Sequence, residues 1–391
     1  MKILKINSIS EQYKTYFYQK YVSKINSLSY TDHLDLILND GFGTVGSWAR
    51  NLCELGIDAK EIIVNDSYLL KKLSSELKNG NDTENILHLI QDFSPDVIIF
   101  GSPQLVNDGV LKKIKKIPSV KKTIVWHCAP LNKSIVNNLY HYDFVLTCTP
   151  GFIKKYDELN LKSYLLYHSF DTTLEIEKES EKINEIIFIG SLWLYNESNW
   201  HIDRMHFLNN IAKEFDSSFY LSIRKDQFLN ANLKRILFNI DKYTPITLNQ
   251  VKRYEKEPKF ISIPNDIKNS MKKDTFFAKD MLKRLSQSTM ALNFHVGAAG
   301  EYAGNIRLFE VTGIGTCLLS DKKKNIGELF KDEKEIIVYE DEKDCIEKIR
   351  YLYENPKIAM DIGHNAYERV LKQHTTKHRM QELIKIIEKE L

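Results

Sequence analysis

Residues 291–321 read ALNFHVGAAGEYAGNIRLFEVTGIGTCLLSD, and the pattern in them is strand, loop, helix, strand. The apolar run Met290–Val296 shows no polar alternation, which is how a strand covered on both faces reads. A loop of small residues follows, with Gly297, Gly300 and Gly304 spaced along it. A short helix is expected from about Asn305, then a second buried strand over Thr316–Ser320. A helix between two such strands is the repeating element of a doubly wound α/β domain.

The helix start also carries chemistry. Asn305, Arg307 and Glu310 fall within six residues. An arginine in the first turn faces the positive end of the helix dipole, which is unfavourable unless an anion lies nearby. The same turn offers unpaired backbone N–H groups, and the preceding glycines let a ligand approach the main chain closely. Glu310, three residues on, shares that helix face, where a carboxylate accepts hydrogen bonds from ribose hydroxyls. One helix start thus has places for both halves of a nucleoside diphosphate. The plain alternative is a surface helix with an Arg–Glu pair behind a glycine-containing loop.

Outward from this segment, two series of short apolar runs divide the chain. The first is KILKI (2–6), EIIV (61–64), DVIIFG (96–101), TIVWHC (123–128), FVLTC (144–148) and SYLLYH (163–168), with helical stretches such as 48–56 and 83–93 between them. The second is EIIFIG (185–190), FYLSI (219–223), MALNFHV (290–296), TCLLS (316–320) and EIIVY (335–339). The charged stretch DTTLEIEKESEKIN (171–184) lacks core periodicity and reads as the connection. The expected organisation is a first Rossmann-like unit over 1–172, a linker at 173–184 and a second unit over 185–373. A final helix, 374–391, is expected to pack back on the first unit through the stripe Met380, Leu383, Ile384 and Ile387. Residues 224–275 show no clear strand.

Length and composition bound the function. A chain of 391 residues has room for two cores, and 43% hydrophobic with 27% charged residues fits a soluble globular protein. A net charge of +3 makes no case for nucleic acid or an anionic membrane. No apolar run approaches the length of a bilayer span, and the N-terminus lacks a secretory stretch, so a cytoplasmic location is expected. Cys53, Cys128, Cys148, Cys317 and Cys345 are scattered without a CxxC, so buried reduced thiols and no metal centre are expected.

A literal GxGxxG runs from Gly41 to Gly46, with Asp66 twenty residues past its end. A dinucleotide site needs that motif directly after the first strand. The preceding SYTDHLDLILND instead opens with a capping-box-like Ser29-x-x-Asp32 and reads as a helix. The remaining readings are a turn ahead of the helix at 48–56, or a loop lining a cleft through Gly41, Phe42 and Gly43. His127 and His168 fall near the C-terminal ends of expected parallel strands, the ligand-binding edge of open sheets, and His295 does so on the second sheet beside Asn293. Each is otherwise a hydrogen-bonded core histidine. Tyr13, Phe17 and Tyr21 are spaced as a helix stripe, for a core, for stacking on sugar or for a membrane interface, and LKKIKKIPSVKK (111–122) is a solvated helix end or a peripheral contact with anionic lipid. There is no D-x-D, no GxxxxGK[ST] and no GxSxG.

With these residues in view, the chain resembles the CgeB-like glycosyltransferases within the group-1 glycosyltransferase class. NIRLFEVTGIGTCLLSD (305–321), ELFKDEKEIIVY (328–339) and IAMDIGHNAYERVLKQHTTKHRMQEL (358–383) carry the resemblance, with SYTDHLDLILNDGFGTVGSWARNLCELG, SPDVIIF and WHCAP in the first half. It implies a GT-B fold, two Rossmann-like doubly wound domains facing an interdomain cleft, with acceptor on the first and nucleotide-sugar on the second. It implies transfer without a metal or resident cofactor, the leaving diphosphate being stabilised by arginine and helix dipole. Glu310 matches the family's ribose-binding glutamate, Arg307 its phosphate ligand and Gly315 the glycine that ends the helix. Gly190, Ser191, Asn293, His295, Asn305 and Leu308 complete the expected donor side. Retaining members carry a glutamate eight positions before the ribose-binding one; here that position is Tyr302, and Glu301 stands one earlier. Glu301 and His127 are therefore the catalytic candidates, and the stereochemical outcome is open.

The expected function is transfer of a sugar from a nucleoside diphosphate to a saccharide, lipid-linked or protein acceptor, with polysaccharide or glycoconjugate synthesis as its setting. A hydrolysing nucleotide-sugar epimerase would act on donor alone. A catalytically silent binding protein of the same fold would have no need of Arg307 and Glu310.

Overall fold

The computed structural model describes residues 1–177, 181–192, 199–223, 236, 262–274, 276–295, 297 and 300–391. They form two separate, wholly parallel sheets. The first contains β1 (Lys2–Asn7), β2 (Asp58–Ile63), β3 (Val97–Phe100), β4 (Lys122–Trp126), β5 (Phe144–Thr147) and β6 (Ser163–Leu165), in the order β2-β1-β3-β4-β5-β6. The second contains β7 (Ile183–Leu192), β8 (Ser217–Ile223), β9 (Ser288–Asn293), β10 (Cys317–Asp321) and β11 (Ile337–Tyr339), in the order β11-β10-β9-β7-β8. Both orders step once to one side and then cross to the other. Each sheet therefore has a switch point, between β1 and β3 and between β7 and β9, and open α/β sheets bind ligands at such points.

The absence of alternation in the strands has a direct cause. In β3, Val97 and Ile99 enter the core on one face while Ile98 and Phe100 enter the core on the other. Charge enters the first sheet as a pair: Lys5 of β1 lies opposite Glu61 of β2 in the parallel register, their charged atoms 3.6 Å apart and both buried. The Lys5 ammonium also donates to the Thr44 carbonyl at 2.7 Å. Burial lowers its pKa, partly opposed by Glu61.

Ser29 caps the helix Tyr30–Asp40, accepting the Asp32 N–H at 3.1 Å, and Gly41 ends it in the left-handed region at φ 87°. The glycine triplet thus lies between two helices, Tyr30–Asp40 and Ser47–Glu54, and no strand feeds it. A side chain at Gly46 would meet the Leu38 carbonyl, so this glycine serves a tight helix–helix turn. The dinucleotide reading has no structural context here. Tyr13 and Phe17 are fully buried, with Tyr13 stacked on Phe42 at 4.0 Å between ring centroids, so the aromatic stripe is core. In the basic run, Leu111, Ile114 and Ile117 are buried and the lysines between them exposed, a solvated helix face.

Some strand boundaries differ from expectation. The strand expected to run through Val296 ends at Asn293, because Asp321 takes the His295 N–H at 3.0 Å and turns the chain; Val296 lies outside the described residues. The strand expected at 163–168 is only three residues long. Most of 224–275 also lies outside the described residues, apart from the helix Asn265–Ser270 and its neighbours. After the second sheet the chain returns to the first. Met380, Leu383 and Ile387 of the helix Thr376–Glu390 pack with Ile3, Trp48 and Leu52. Phe170, where the chain leaves the first sheet, donates its N–H to the His374 carbonyl at 3.0 Å and accepts that of Thr376 at 2.8 Å. Among the described residues no helix is long and apolar enough to cross a membrane.

Candidate functional site

A cavity of about 430 Å³ lies between the two sheets, at the C-terminal ends of β1 and β7, where the switch points face each other. Ser10, Gln12, Phe42 and Gly43 line it from the first unit. Gly190 and Ser191 at the end of β7, Tyr220 and Ser222 of β8, and Ile306, Arg307 and Glu310 line it from the second, with 276–278 and Met281 along one side.

Asn305 is the N-cap of the helix Ile306–Gly313, but its side chain does not cap; it donates to Asn293 Oδ1 at 2.7 Å instead. Asn293 in turn donates to Ser320 Oγ at 3.0 Å, tying the start of this helix to the ends of β9 and β10. Next to it, the His295 ring nitrogen Nδ1 meets Asp321 Oδ1 at 2.6 Å. Burial raises the Asp321 carboxyl, but the hydrogen bond and charge of His295, with Lys323, outweigh it and hold the group below its usual range. Asn293 and His295 are buried and do not line the cavity. Leu308 is fully buried in the core of the second unit, so its side chain is structural.

Arg307 and Glu310 form an ion pair at 2.8 Å, with side-chain exposures of only 18% and 10%. The same guanidinium lies 3.1 Å from Met281 Sδ. A poorly hydrated pair of this kind roughly breaks even in stability. Both readings of the sequence survive in the geometry: the residues are an i, i+3 pair, and they stand on the wall of a cavity at a helix start.

Three further contributors carry no sequence motif. Arg204, on the helix Asn199–Glu214, is buried and donates to the carbonyls of Ser191 at 3.0 Å and Phe294 at 2.8 Å, clamping the chain just past β9 to the end of β7. Burial lowers its pKa to about 10. Ala278, on the cavity wall, has φ 56°, a left-handed conformation that a residue with a Cβ adopts at a cost of about 1–2 kcal/mol. From the facing helix Glu11–Ile25, Tyr16 and Lys20 both reach Asp280. The only earlier signals were an arginine among the apolar residues of 199–214 and two aromatics before Ala278.

His127 and Glu301 do not wall the cavity. His127 is buried one residue past β4, with Nδ1 2.7 Å from the Tyr156 hydroxyl, and burial lowers its pKa to about 4. Glu301 projects into solvent, paired with Lys324 at 2.7 Å. Gly41 lies behind Phe42 and Gly43 as the helix C-cap. The scattered cysteines are also not all isolated: parallel strand ends bring Cys128 and Cys148 together with His168, a cluster of metal-ligand types that the linear spacing concealed. Cys53, expected to be buried, is exposed.

Residues 235–385 match the model of a family described as glycosyl transferase-like. No curated protein matches the chain. Among solved structures, the chain is similar to Anabaena HepE in complex with UDP and glucose, at 11% identity and a TM-score of 0.56 with all of both chains covered. Sucrose-phosphate synthase from Thermosynechococcus elongatus is similar at 10% identity and 0.56, covering 100% of this chain and 99% of that one. T4 phage BGT in complex with its UDP-glucose substrate is similar at 13% identity and 0.54, with 100% and 99% covered, and the same enzyme was also solved with UDP and Mn2+. With two parallel sheets around one cleft, these likenesses establish a two-domain, Rossmann-like GT-B fold.

Proposed function

We propose that the protein is a glycosyltransferase of the group-1 class that moves a sugar from a nucleoside diphosphate to a saccharide, lipid-linked or protein acceptor. The observation that carries the reading is the placement of Arg307 and Glu310 at a helix start on the wall of a cavity between two facing switch points. The family match over 235–385 covers that helix, and the similar structures that hold UDP share the fold.

In this reading the unit 185–373 holds the nucleotide-sugar. Glu310 exchanges its Arg307 contact for the ribose hydroxyls, and the freed guanidinium turns to the diphosphate. As the bond between the sugar's anomeric carbon and the phosphate oxygen breaks, negative charge grows on the leaving group. Arg307 and the first-turn N–H groups then stabilise it more strongly than in the ground state. The acceptor enters from the unit 1–172, along Ser10, Gln12, Phe42 and Gly43. The wall is largely apolar and aromatic, suited to a sugar face or to an acceptor with an apolar part.

Arg307 takes the place that a divalent cation has in D-x-D transferases, so transfer is proposed to need no metal at the donor. A catalytic part for Glu301 requires the loop 300–304 to move it off Lys324; one for His127 requires it to leave Tyr156. A thermal-shift series with UDP, GDP, dTDP, CMP and NAD, run on the wild type and on Arg307→Ala, tests the reading. Stabilisation by one nucleoside diphosphate that the variant loses supports it; stabilisation by NAD alone sinks it.

A further inference from the structure

Three side chains from three neighbouring strand ends converge at the C-terminal edge of the first sheet, apart from the cavity walls. Cys128 lies two residues past β4, Cys148 one past β5 and His168 three past β6. One ligand atom of each, two sulfurs and a ring nitrogen, lie within 4.8 Å of one another. Tetrahedral zinc, with Zn–S near 2.3 Å and Zn–N near 2.1 Å, holds such atoms about 3.6–3.8 Å apart. Movements on the order of 1 Å therefore close the site, within the reach of side-chain rotation.

The surroundings suit the same ligand. The Cys148 N–H points at Cys128 Sγ from 2.8 Å, the backbone donation that offsets the negative charge of a metal-bound sulfur. The Thr147 and Thr149 hydroxyls lie 3.8 Å from Cys128 Sγ and 3.6 Å from Cys148 Sγ. His168 Nδ1 is buried, and the ring interacts with the Cys148 thiol. Two thiolates and one imidazole select zinc or another borderline-soft cation over magnesium or calcium, which require oxygen ligands.

The cluster also touches the donor side. A Cβ on Gly304 would lie 2.5 Å from the Cys148 carbonyl and 2.7 Å from Thr149 Oγ1, so the loop leading into Asn305 rests directly on one ligand's backbone. We propose that Cys128, Cys148 and His168 bind a zinc ion that pins the edge of the first sheet on which this loop sits. With three protein ligands, water fills the fourth position; the ion's proposed part is to hold this edge, and is independent of whether the donor itself needs a metal.

Reduced full-length protein, titrated with cobalt(II) as a spectroscopic stand-in, should develop thiolate-to-cobalt charge-transfer and tetrahedral d–d bands that saturate at one equivalent. Zinc should displace the cobalt and raise the unfolding temperature. Cys148→Ser and His168→Ala should each weaken zinc binding at least tenfold, while Cys53→Ser, at the exposed thiol, should leave it unchanged. Circular dichroism checks that the variants fold, and the wild-type stoichiometry decides the matter if they do not. Wild-type protein that shows no cobalt bands overturns the site. So do bands that persist in Cys148→Ser, or a mass two hydrogens lower that maps to a Cys128–Cys148 disulfide in protein that refuses cobalt when reduced.

Discussion

Lys20 of the first unit and Asp280 of the second are ion-paired at 2.5 Å across one side of the cleft. The Tyr16 hydroxyl donates to the same carboxylate. Burial raises the pKa of Asp280, but Lys20 and Tyr16 together reverse this and leave it below the usual range. Since Asp280 is two residues past Ala278 on the cavity wall, the pair acts as a strut holding the two units at a set separation. Asp280→Ala should cost little stability, about 1 kcal/mol or less for a pair about one third exposed, and the effect should shrink with added salt. It should nonetheless raise KM for donor and acceptor together if both bind, as proposed, in the gap it spans. Unaltered KM values at low salt would show that the strut does not set the cleft.

Arg307→Ala and Glu310→Ala should separate in kinetics. In the proposed function Arg307 makes a charge-assisted contact that strengthens as the diphosphate leaves, so its loss should lower kcat along with affinity. In the proposed reading Glu310 holds the ribose away from the breaking bond, so its loss should act mainly through KM. Each truncation is expected to reduce kcat/KM by an amount equivalent to about 1.5–3 kcal/mol. Because the two side chains are partners at 2.8 Å, each single variant also strands a poorly hydrated charge. Unfolding midpoints must therefore accompany the kinetics. Wild-type kcat/KM in both folded variants would leave only the helix-face pair.

How far the sequence reached follows from where each interaction lies. Strands such as VIIF at 97–100 were legible because residues buried on both faces remove alternation, a local property. The helix after Ser29 was legible because its cap acts within one turn, and the site helix because it stands between two apolar runs behind a glycine-containing loop. Arg204, Asp280 and the Cys128–Cys148–His168 cluster were not, since each depends on segments far apart in the chain meeting in space. For His127 the sequence left a cleft-facing and a core histidine both open, and the structure takes the second. Position past a strand end is set by the main chain, but the side chain's direction is set by packing on Phe152 and Tyr156.

A nucleoside diphosphate should raise the unfolding temperature by several degrees in chelator as well as without it. At a hundredfold excess over Kd, binding linkage supplies roughly 2.7 kcal/mol, which for a chain of this size is a readable shift. The quantity compared is the nucleotide-dependent shift under each condition, so that loss of a structural zinc does not disguise the result. A shift that vanishes with chelator and returns with manganese would show that the donor site needs a divalent cation.

Acid stability should be governed in part by His374. Its Nε2 lies 2.9 Å from the Leu329 carbonyl, and its Nδ1 lies 2.7 Å from Arg379 Nη2, which can only donate. The ring is thus held neutral, and burial, then Arg379, lowers its pKa to about 4. The unfolded chain binds a proton here near pH 6.5 and the folded one does not. This contribution is therefore present above 6.5 and is lost as pH falls toward 4, by up to about 3 kcal/mol. Urea unfolding from pH 7 to 4 should show that slope in the wild type and a shallower one in His374→Gln. Equal slopes would assign the acid sensitivity elsewhere.

Arg204 supplies the sharpest test of whether the donor side is built by the ends of β7 and β9. Its planar fork donates to two carbonyls at once, those of Ser191 and Phe294, and a lysine, with a single ammonium, cannot reproduce that geometry. Arg204→Lys keeps a positive charge in the same place, so a change in function reports on the clamp rather than on charge. Leaving one buried carbonyl unpaired costs about 1–3 kcal/mol, and the unfolding temperature should fall accordingly. If Gly190 and Ser191 face the bound nucleotide, KM for the donor should rise by more than the stability loss alone produces in a control core variant such as Leu208→Val. Kinetics measured well below both unfolding transitions make that comparison. An Arg204→Lys protein of reduced stability but wild-type donor KM would confine the clamp to folding, and would move the donor away from the end of β7.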